Sequence, residues 1–330
     1  MRQKVDALLV LPRIKVQNAN AVSGPLTWGF PAMTAIIGFV HALYRKTTSQ
    51  HGLEFDGVGV VCHDFNPMVY RSSPTDPIVF RLMRHPNDKD GETPAFIEEG
   101  RVHLEVSLVI GLRGEALFDG SFDAESSIHG VSNEMTDYVH DVMSLQRFAG
   151  GSILSSNRPY AMLLPSSSQD IQDMTRRFVR KFLPGFAVIS REDVFQVHLE
   201  ETKQNDEECT NLDALLDFCS LKYESVQVED TGEVEWAINK KLGWFVPMPV
   251  GFGAISDLYE PGDVANVRDK TIPFRFVESI YSVGQWISPH RIGDIRDLLW
   301  YYSTDSEKGI YRCVNVNQYN KNVKEDINYG

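Results

Sequence analysis

Asp6 to Val16 carries β-branched and long apolar residues densely enough for a buried strand, with Arg13 and Lys15 two apart on one face. Met33, Ile36, Ile37, Val40 and Leu43 then recur at helical spacing within 32–47, and Pro31 stands where a first helical turn tolerates it. A second strand is expected near 53–63. A third, Arg101 to Leu112, alternates Val102, Leu104, Val106, Leu108 and Ile110 against His103, Glu105 and Ser107. Ser132 or Asn133 can cap a helix that runs to about Phe148 and ends at Gly150 and Gly151. Between the second and third strands, residues 66–95 hold five prolines from Pro67 to Pro94 and two short β-like pieces, Met68 to Arg71 and Ile78 to Met83. That mixture reads as an excursion from the core, such as an extended hairpin.

Strand, helix, strand, excursion, strand, helix is the order of a ferredoxin-like or RRM-like split βαβ unit. Alternating elements beyond Ala161 predict a second α/β half packed on the first. The expected class is therefore α+β, with a body at 1–165, a protruding excursion at about 66–95, and a second half at 166–330. Interruptions are expected at Lys203 to Glu208 and at Glu229 to Glu235.

The chain has 330 residues, 42% of them hydrophobic, ample for a buried core. No uninterrupted apolar run is long enough to span a membrane, and Met1 to Asp6 is too polar to begin a secretory signal, so a cytoplasmic location without membrane contact is expected. Cys62, Cys209, Cys219 and Cys313 lack the close pairing of a zinc site or a disulfide scaffold. A net charge of -13 argues against a surface that holds naked nucleic acid. Yet 192–235 holds 14 acidic residues against Lys203 and Lys222, which leaves the rest of the chain near neutral. That acidic stretch suits a solvated face or a basic partner, while Arg176, Arg177, Arg180 and Lys181 form a basic cluster elsewhere.

Familiar enzyme signatures are missing: no Walker-type or G-x-G-x-x-G phosphate loop, no H-E-x-x-H and no G-x-S-x-G. No metal or cofactor is expected, although His63-Asp64 and His140-Asp141 are His-Asp neighbours. A metal-free ribonuclease is the sharper enzymatic alternative, with His41 or His63 as general base. A protein-only assembly adaptor is a further alternative.

Binding chemistry is concentrated in two stretches. Gln17 to Phe30 holds the amides Gln17, Asn18 and Asn20 with Ser23, Thr27, Trp28 and Phe30. Amides hydrogen-bond base edges and aromatic faces stack on unpaired bases; an ordinary hydrogen-bonded loop with Trp28 in the core is the competing reading. In Pro261 to Arg291, the cations Arg268, Lys270, Arg275 and Arg291 interleave with Phe274, Phe276, Tyr281 and Trp286, a mixture that grips phosphates beside aromatic rings. Glycine turns at Arg147 to Ser152 and Leu183 to Phe186 permit close approach of another backbone, so Arg147, Gly150, Gly151 and Ser152 join the candidates. The Trp28 turn and the Arg268 region are expected to converge on one groove.

Leu11 to Pro31, Asp56 to His63, Glu98 to Leu108, Arg147 to Leu154, Leu183 to Arg191, Gly243 to Gly253 and Pro261 to Arg291 together resemble, in order, the second-subunit family of the Csy surveillance complex of type I-F CRISPR systems, within the RAMP superfamily. The resemblance implies a non-catalytic subunit that caps the 5′ handle of the CRISPR RNA (crRNA). It implies pairing with the large subunit, contact with the first backbone subunit, and a thumb supplied by residues 66–95. In this branch a separate endonuclease processes the RNA, which weakens the His41 and His63 alternative. Target DNA would then be read by guide pairing in the assembled complex. Trp28 and Phe30 are the stacking candidates, Gln17, Asn18 and Asn20 the base readers, and Arg147, Arg268, Arg275 and Arg291 the phosphate contacts.

Overall fold

The computed structural model describes residues 5–47, 52–117, 134–220, 222–227, 234–239 and 243–317. The expected cap at Ser132 or Asn133 and most of the Glu229 to Glu235 interruption lie outside them. The chain opens with β1 (Ala7–Asn20), a small hairpin of β2 (Val22–Gly24) and β3 (Thr27–Trp28), α1 (Met33–Thr47) and β4 (Glu54–Pro67). Four two-residue strands follow, β5 (Val69–Tyr70), β6 (Val79–Phe80), β7 (Leu82–Met83) and β8 (Ile97–Glu98), before β9 (Arg101–Arg113). Next come α2 (Glu134–Ser144), β10 (Arg147–Phe148), β11 (Gly151–Ser155), β12 (Tyr160–Leu163), α3 (Ser168–Phe178) and β13 (Phe186–Ser190). The remainder is α4 (Glu192–Asn205), α5 (Asn211–Cys219), β14 (Lys222–Gln227), β15 (Val234–Asn239), β16 (Trp244–Ala254), β17 (Val277–Ile287), β18 (Trp300–Asp305) and β19 (Ile310–Asn315).

Among the described residues, eleven strands join one sheet in the order β10-β11-β1-β9-β4-β13-β17-β16-β19-β18, with β12 also on β1. All its pairings are antiparallel, so with the helices the chain is α+β. The fully apolar run Ala7 to Leu11 follows from burial on both faces. Leu9 and Leu11 pack under α1 and α2 with Met33, Ile36, Leu43, Val139 and Met143, whereas Leu8 and Val10 pack with Met174, Phe178 and Phe182 on the other face. Past β4 the sheet bends round on itself. Trp300 of β18 pairs with Val58 of β4, closing β4, β13, β17, β16, β19 and β18 into a ring. Trp300 is fully buried at that seam, and its indole N–H donates to the Val188 carbonyl at 3.0 Å.

Two local expectations are corrected. Helix α2 stops at Ser144, not near Phe148, because Phe148 is a buried strand residue paired with Gly151. Ala149 (φ 46°) and Gly150 (φ 79°) form the two-residue turn of that hairpin, the positive-φ pair that suits strand twist, so the glycines serve a hairpin and not a helix cap. Strand β1 also runs on to Asn20. Register shifts flank Arg13 (φ 53°) and Asn18 (φ 56°), and these bulges let the strand bend without ending.

Candidate nucleic-acid interface

The far end of β1 lies between β9 and the β10–β11 hairpin, and there much of the predicted binding chemistry meets. Gln17 is exposed opposite Ser152, which in turn pairs with Arg147. The Asn18 N–H donates to His103 Nδ1 at 3.1 Å, and the Asn18 carbonyl accepts from Arg101 at 3.3 Å. Arg101 also pairs with Glu99, while its Nε is buried without a partner. Arg147 is exposed and donates to the Gly150 carbonyl at 3.3 Å. At Gly151 a Cβ would lie 2.7 Å from the Ala19 nitrogen, so only glycine lets this hairpin close on β1. Asn20 and Ser23 are committed locally. The Asn20 amide both accepts from and donates to the Val22 backbone, and the Ser23 hydroxyl bonds the Thr27 carbonyl and side chain.

Trp28 and Phe30 belong to a neighbouring recess of about 370 Å³. Beyond Cys62, β4 parts from β13, and its free edge is roofed by Phe65, Phe186, Trp244 and Trp286. Trp28 is 49% exposed, with its ring edge-on to Phe80 of the excursion at 5.4 Å. A wholly core role for Trp28 is thereby set aside. Phe30 packs edge-on to Trp286 at 4.9 Å. The hairpin also reaches β17, where the Leu26 N–H donates to Tyr281 Oη at 3.0 Å.

His63 lines this recess but is fully engaged. The Arg13 N–H donates to Ser107 Oγ (3.0 Å), the Ser107 hydroxyl donates to His63 Nε2 (2.7 Å), and His63 Nδ1–H donates to the Pro184 carbonyl (2.8 Å). Burial holds its pKa below the ordinary histidine value, only partly offset by the Pro184 bond. Burial likewise pushes the Cys62 thiol up to about 12. His41 sits on α1 beside Tyr44 and Tyr302, elsewhere in the molecule.

The remaining arginines are dispersed. Arg268 is exposed on the connection between β16 and β17 and has no hydrogen bond or ion pair among the described residues. Arg275 is half-buried beside Gly309, with Nε unpartnered. Arg291 is exposed on a 3-10 turn beyond the other end of β17, an 11-residue strand that spans about 35 Å. No hydrogen bond, ion pair or ring contact among the described residues joins Arg268 to the Trp28 hairpin. In the basic cluster, Arg176 pairs with Asp173 and Lys181 lies over the Tyr160 ring at 4.7 Å. Sequence reading passed over Arg101, His103, Phe65, Phe186 and Trp244. The period-two pattern of β9 does place Arg101 and His103 opposite the buried Val102 and Leu104, but the recess is made by strands far apart in the chain. Among the described residues, no cluster of three or more potential metal ligands occurs, and no helix is long and apolar enough to cross a membrane.

Residues 9–313 match the model of a family described as CRISPR-associated protein (Cas_Csy2). The chain belongs to the Csy2 family. A CRISPR-associated protein Csy2 of Pseudomonas aeruginosa (strain UCBPP-PA14) is 42% identical over 319 residues, covering 93% of this chain and 94% of that protein. Both the strand-end cluster and the aromatic recess lie inside the Csy2 match, and the chain is a subunit type of the I-F CRISPR system.

Proposed function

We propose that this chain is the non-catalytic RNA-binding subunit that caps the 5′ handle of crRNA in a type I-F surveillance complex, held with the large subunit and touching the first backbone subunit. One observation carries the reading. Exposed Gln17 and Arg147, the Arg101 and His103 side chains, and a glycine turn open to solvent stand next to a recess lined by six aromatic rings. Amide and guanidinium groups hold phosphates and base edges, and rings hold unstacked bases. The strand order β11-β1-β9-β4, with α1 after β1 and α2 after β9, supports a ferredoxin-like, RRM-like body of the RAMP type at 1–165, with the remainder as a second half. The excursion bearing exposed Tyr70, Leu82 and Phe96 suits a thumb that meets a neighbouring subunit.

The engagement of both His63 nitrogens weighs against a nuclease. The test is to assemble the chain with its large partner on handle RNA. Trp28→Ala should weaken binding by about 1–3 kcal/mol, the loss of one stacked base. Arg147→Ala should lower the salt dependence by roughly one phosphate contact. RNA cleavage lost in His63→Ala would favour the nuclease, and assembly indifferent to Trp28, Arg147 and RNA would favour a protein adaptor.

A further inference from the structure

Among the described residues, Asp64 is the one acidic residue that lines the aromatic recess. It lies two places before Asn66 of β4, which pairs with His103 of β9, so the recess runs into the strand-end cluster. The Asp64 side chain is exposed. Its Oδ1 accepts from the Phe65 N–H at 3.0 Å, and Oδ2 has no hydrogen bond or ion pair among the described residues. Its charge adds to burial in raising the pKa of the Cys62 thiol, so the carboxylate stands close to another residue of the lining.

The recess also holds donors. The indole N–H groups of Trp28, Trp244 and Trp286 make no hydrogen bond among the described residues, and Trp28 and Trp244 are about half exposed. Cys62 and His63 offer nothing further, because the thiol donates to the Asp64 carbonyl at 3.4 Å and the imidazole is bonded at both nitrogens. What remains is a set of stacking rings, one carboxylate acceptor and free N–H donors.

We infer that the recess receives a guanine base of the bound RNA, with Asp64 as the residue that selects it. Guanine alone among the four bases carries two adjacent donors, N1–H and the N2 amino group, on its Watson–Crick edge, and these fork onto a carboxylate. Adenine and cytosine set a ring nitrogen acceptor beside the amino group, and uracil flanks its single N–H with two carbonyls. Each would turn a lone pair towards Asp64. Guanine O6 and N7 accept, which suits the indole donors. An arginine side chain also forks onto a carboxylate and stacks on rings, but it has no acceptor for an indole. The adjoining cluster presents exposed Arg147, which suits the phosphate of a nucleotide and repels a second cation. The base would belong to the crRNA handle, so the assignment rests on the RNA-binding reading.

Three of the chain's five tryptophans line the recess, and intrinsic fluorescence therefore reports its occupation. The full-length chain is titrated at low salt with the pentaribonucleotides UUGUU, UUIUU, UUAUU, UUCUU and UUUUU, where I is inosine, and with N-acetyl-arginine methylamide. UUGUU should bind most tightly. Inosine lacks the N2 amino group, so UUIUU should bind about tenfold more weakly, the loss of one charge-assisted hydrogen bond. Asp64→Asn keeps the shape of an exposed side chain and an oxygen for the Phe65 N–H, and should bring UUGUU down to the level of UUAUU. Trp244→Ala should weaken every pentamer alike, since stacking tolerates any base. Equal affinity for all five pentamers, each weakened by Trp244→Ala, overturns the guanine assignment and leaves handle capping standing. A guanine preference that survives Asp64→Asn overturns the role of Asp64. Tighter binding of the arginine compound than of any pentamer, or no saturable binding of any, overturns the base site, while handle capping is judged separately by assembly with the large partner on handle RNA.

Discussion

At His63 the imidazole is held at both nitrogens, so its tautomer follows from its partners: the Pro184 carbonyl can only accept, which puts the proton on Nδ1 and leaves Nε2 to accept from Ser107. A charged ring would have to donate at both positions, and burial already disfavours the charge. The folded chain therefore takes up this proton at a lower pH than the unfolded chain does, whose value is near 6.5. The contribution to stability is complete above that value and is lost as pH falls from it through the lower folded value. His63→Gln should destabilise the chain by about 1–3 kcal/mol at neutral pH, because Ser107 and Pro184 lose a partner. The gap between the parent and this variant should narrow from about pH 7.5 to about pH 5.5 in denaturant titrations. A gap that instead widened as pH falls would mean that the ring is charged when folded, and a constant gap would mean that folding leaves its pKa unmoved. None of this was legible in the sequence, where His63 was one of two candidate bases. Its partners come from β9 and from the turn after α3, which no local pattern connects to β4. Asn20 and Ser23 teach the converse lesson, since their partners lie two and four residues away in the chain and short polar side chains readily bond to nearby backbone.

Among the elements, α1 and β9 were legible because each carries a strong period, and β1 and β4 because of dense apolar runs, which at Leu8 to Leu11 reflect burial on both faces of the sheet. The end of α2 was not, because Ala-Gly-Gly after a helix reads equally as a cap or a hairpin turn. Tertiary contact decides between them: Gly151 must lie against Ala19, and Phe148 must enter the core beside Phe39, at 5.2 Å. Two substitutions in this turn should act in opposite directions. Ala149 sits in the left-handed region, where asparagine is easier than alanine, so Ala149→Asn should stabilise by about 0.5–1 kcal/mol. Gly151→Ala drives a methyl into the β1 backbone and should cost about 1–3 kcal/mol. Chemical denaturation of both variants checks the assignment, and a stabilised Gly151→Ala would show that the hairpin does not close on β1 as described.

For the molecule as a whole, the placement of charge matters more than its total. The chain carries -13, of which -12 falls within 192–235, where α4 and its connection to α5 present exposed Glu200, Glu201, Glu207 and Glu208 to solvent. Such a field repels RNA over about a Debye length, roughly 10 Å at 0.1 M salt, and reaches further when salt is low. The candidate interface offers a handful of cations against it, so the lone chain should bind handle RNA weakly and depend on a partner for tight capping. Replacing those four glutamates with glutamine lowers the repulsion without touching the core. Surface changes of this kind should alter stability by no more than about 0.5 kcal/mol. Association of the isolated chain with handle RNA should quicken several-fold at low salt, and the gain should vanish as salt approaches about 1 M, where the Debye length falls to about 3 Å. Stopped-flow measurement across a salt series reads this directly. Were the lone parent chain already to bind tightly, with rates indifferent to these four charges, the acidic stretch would have to lie screened from the RNA, and the dependence on a partner would need a cause other than charge.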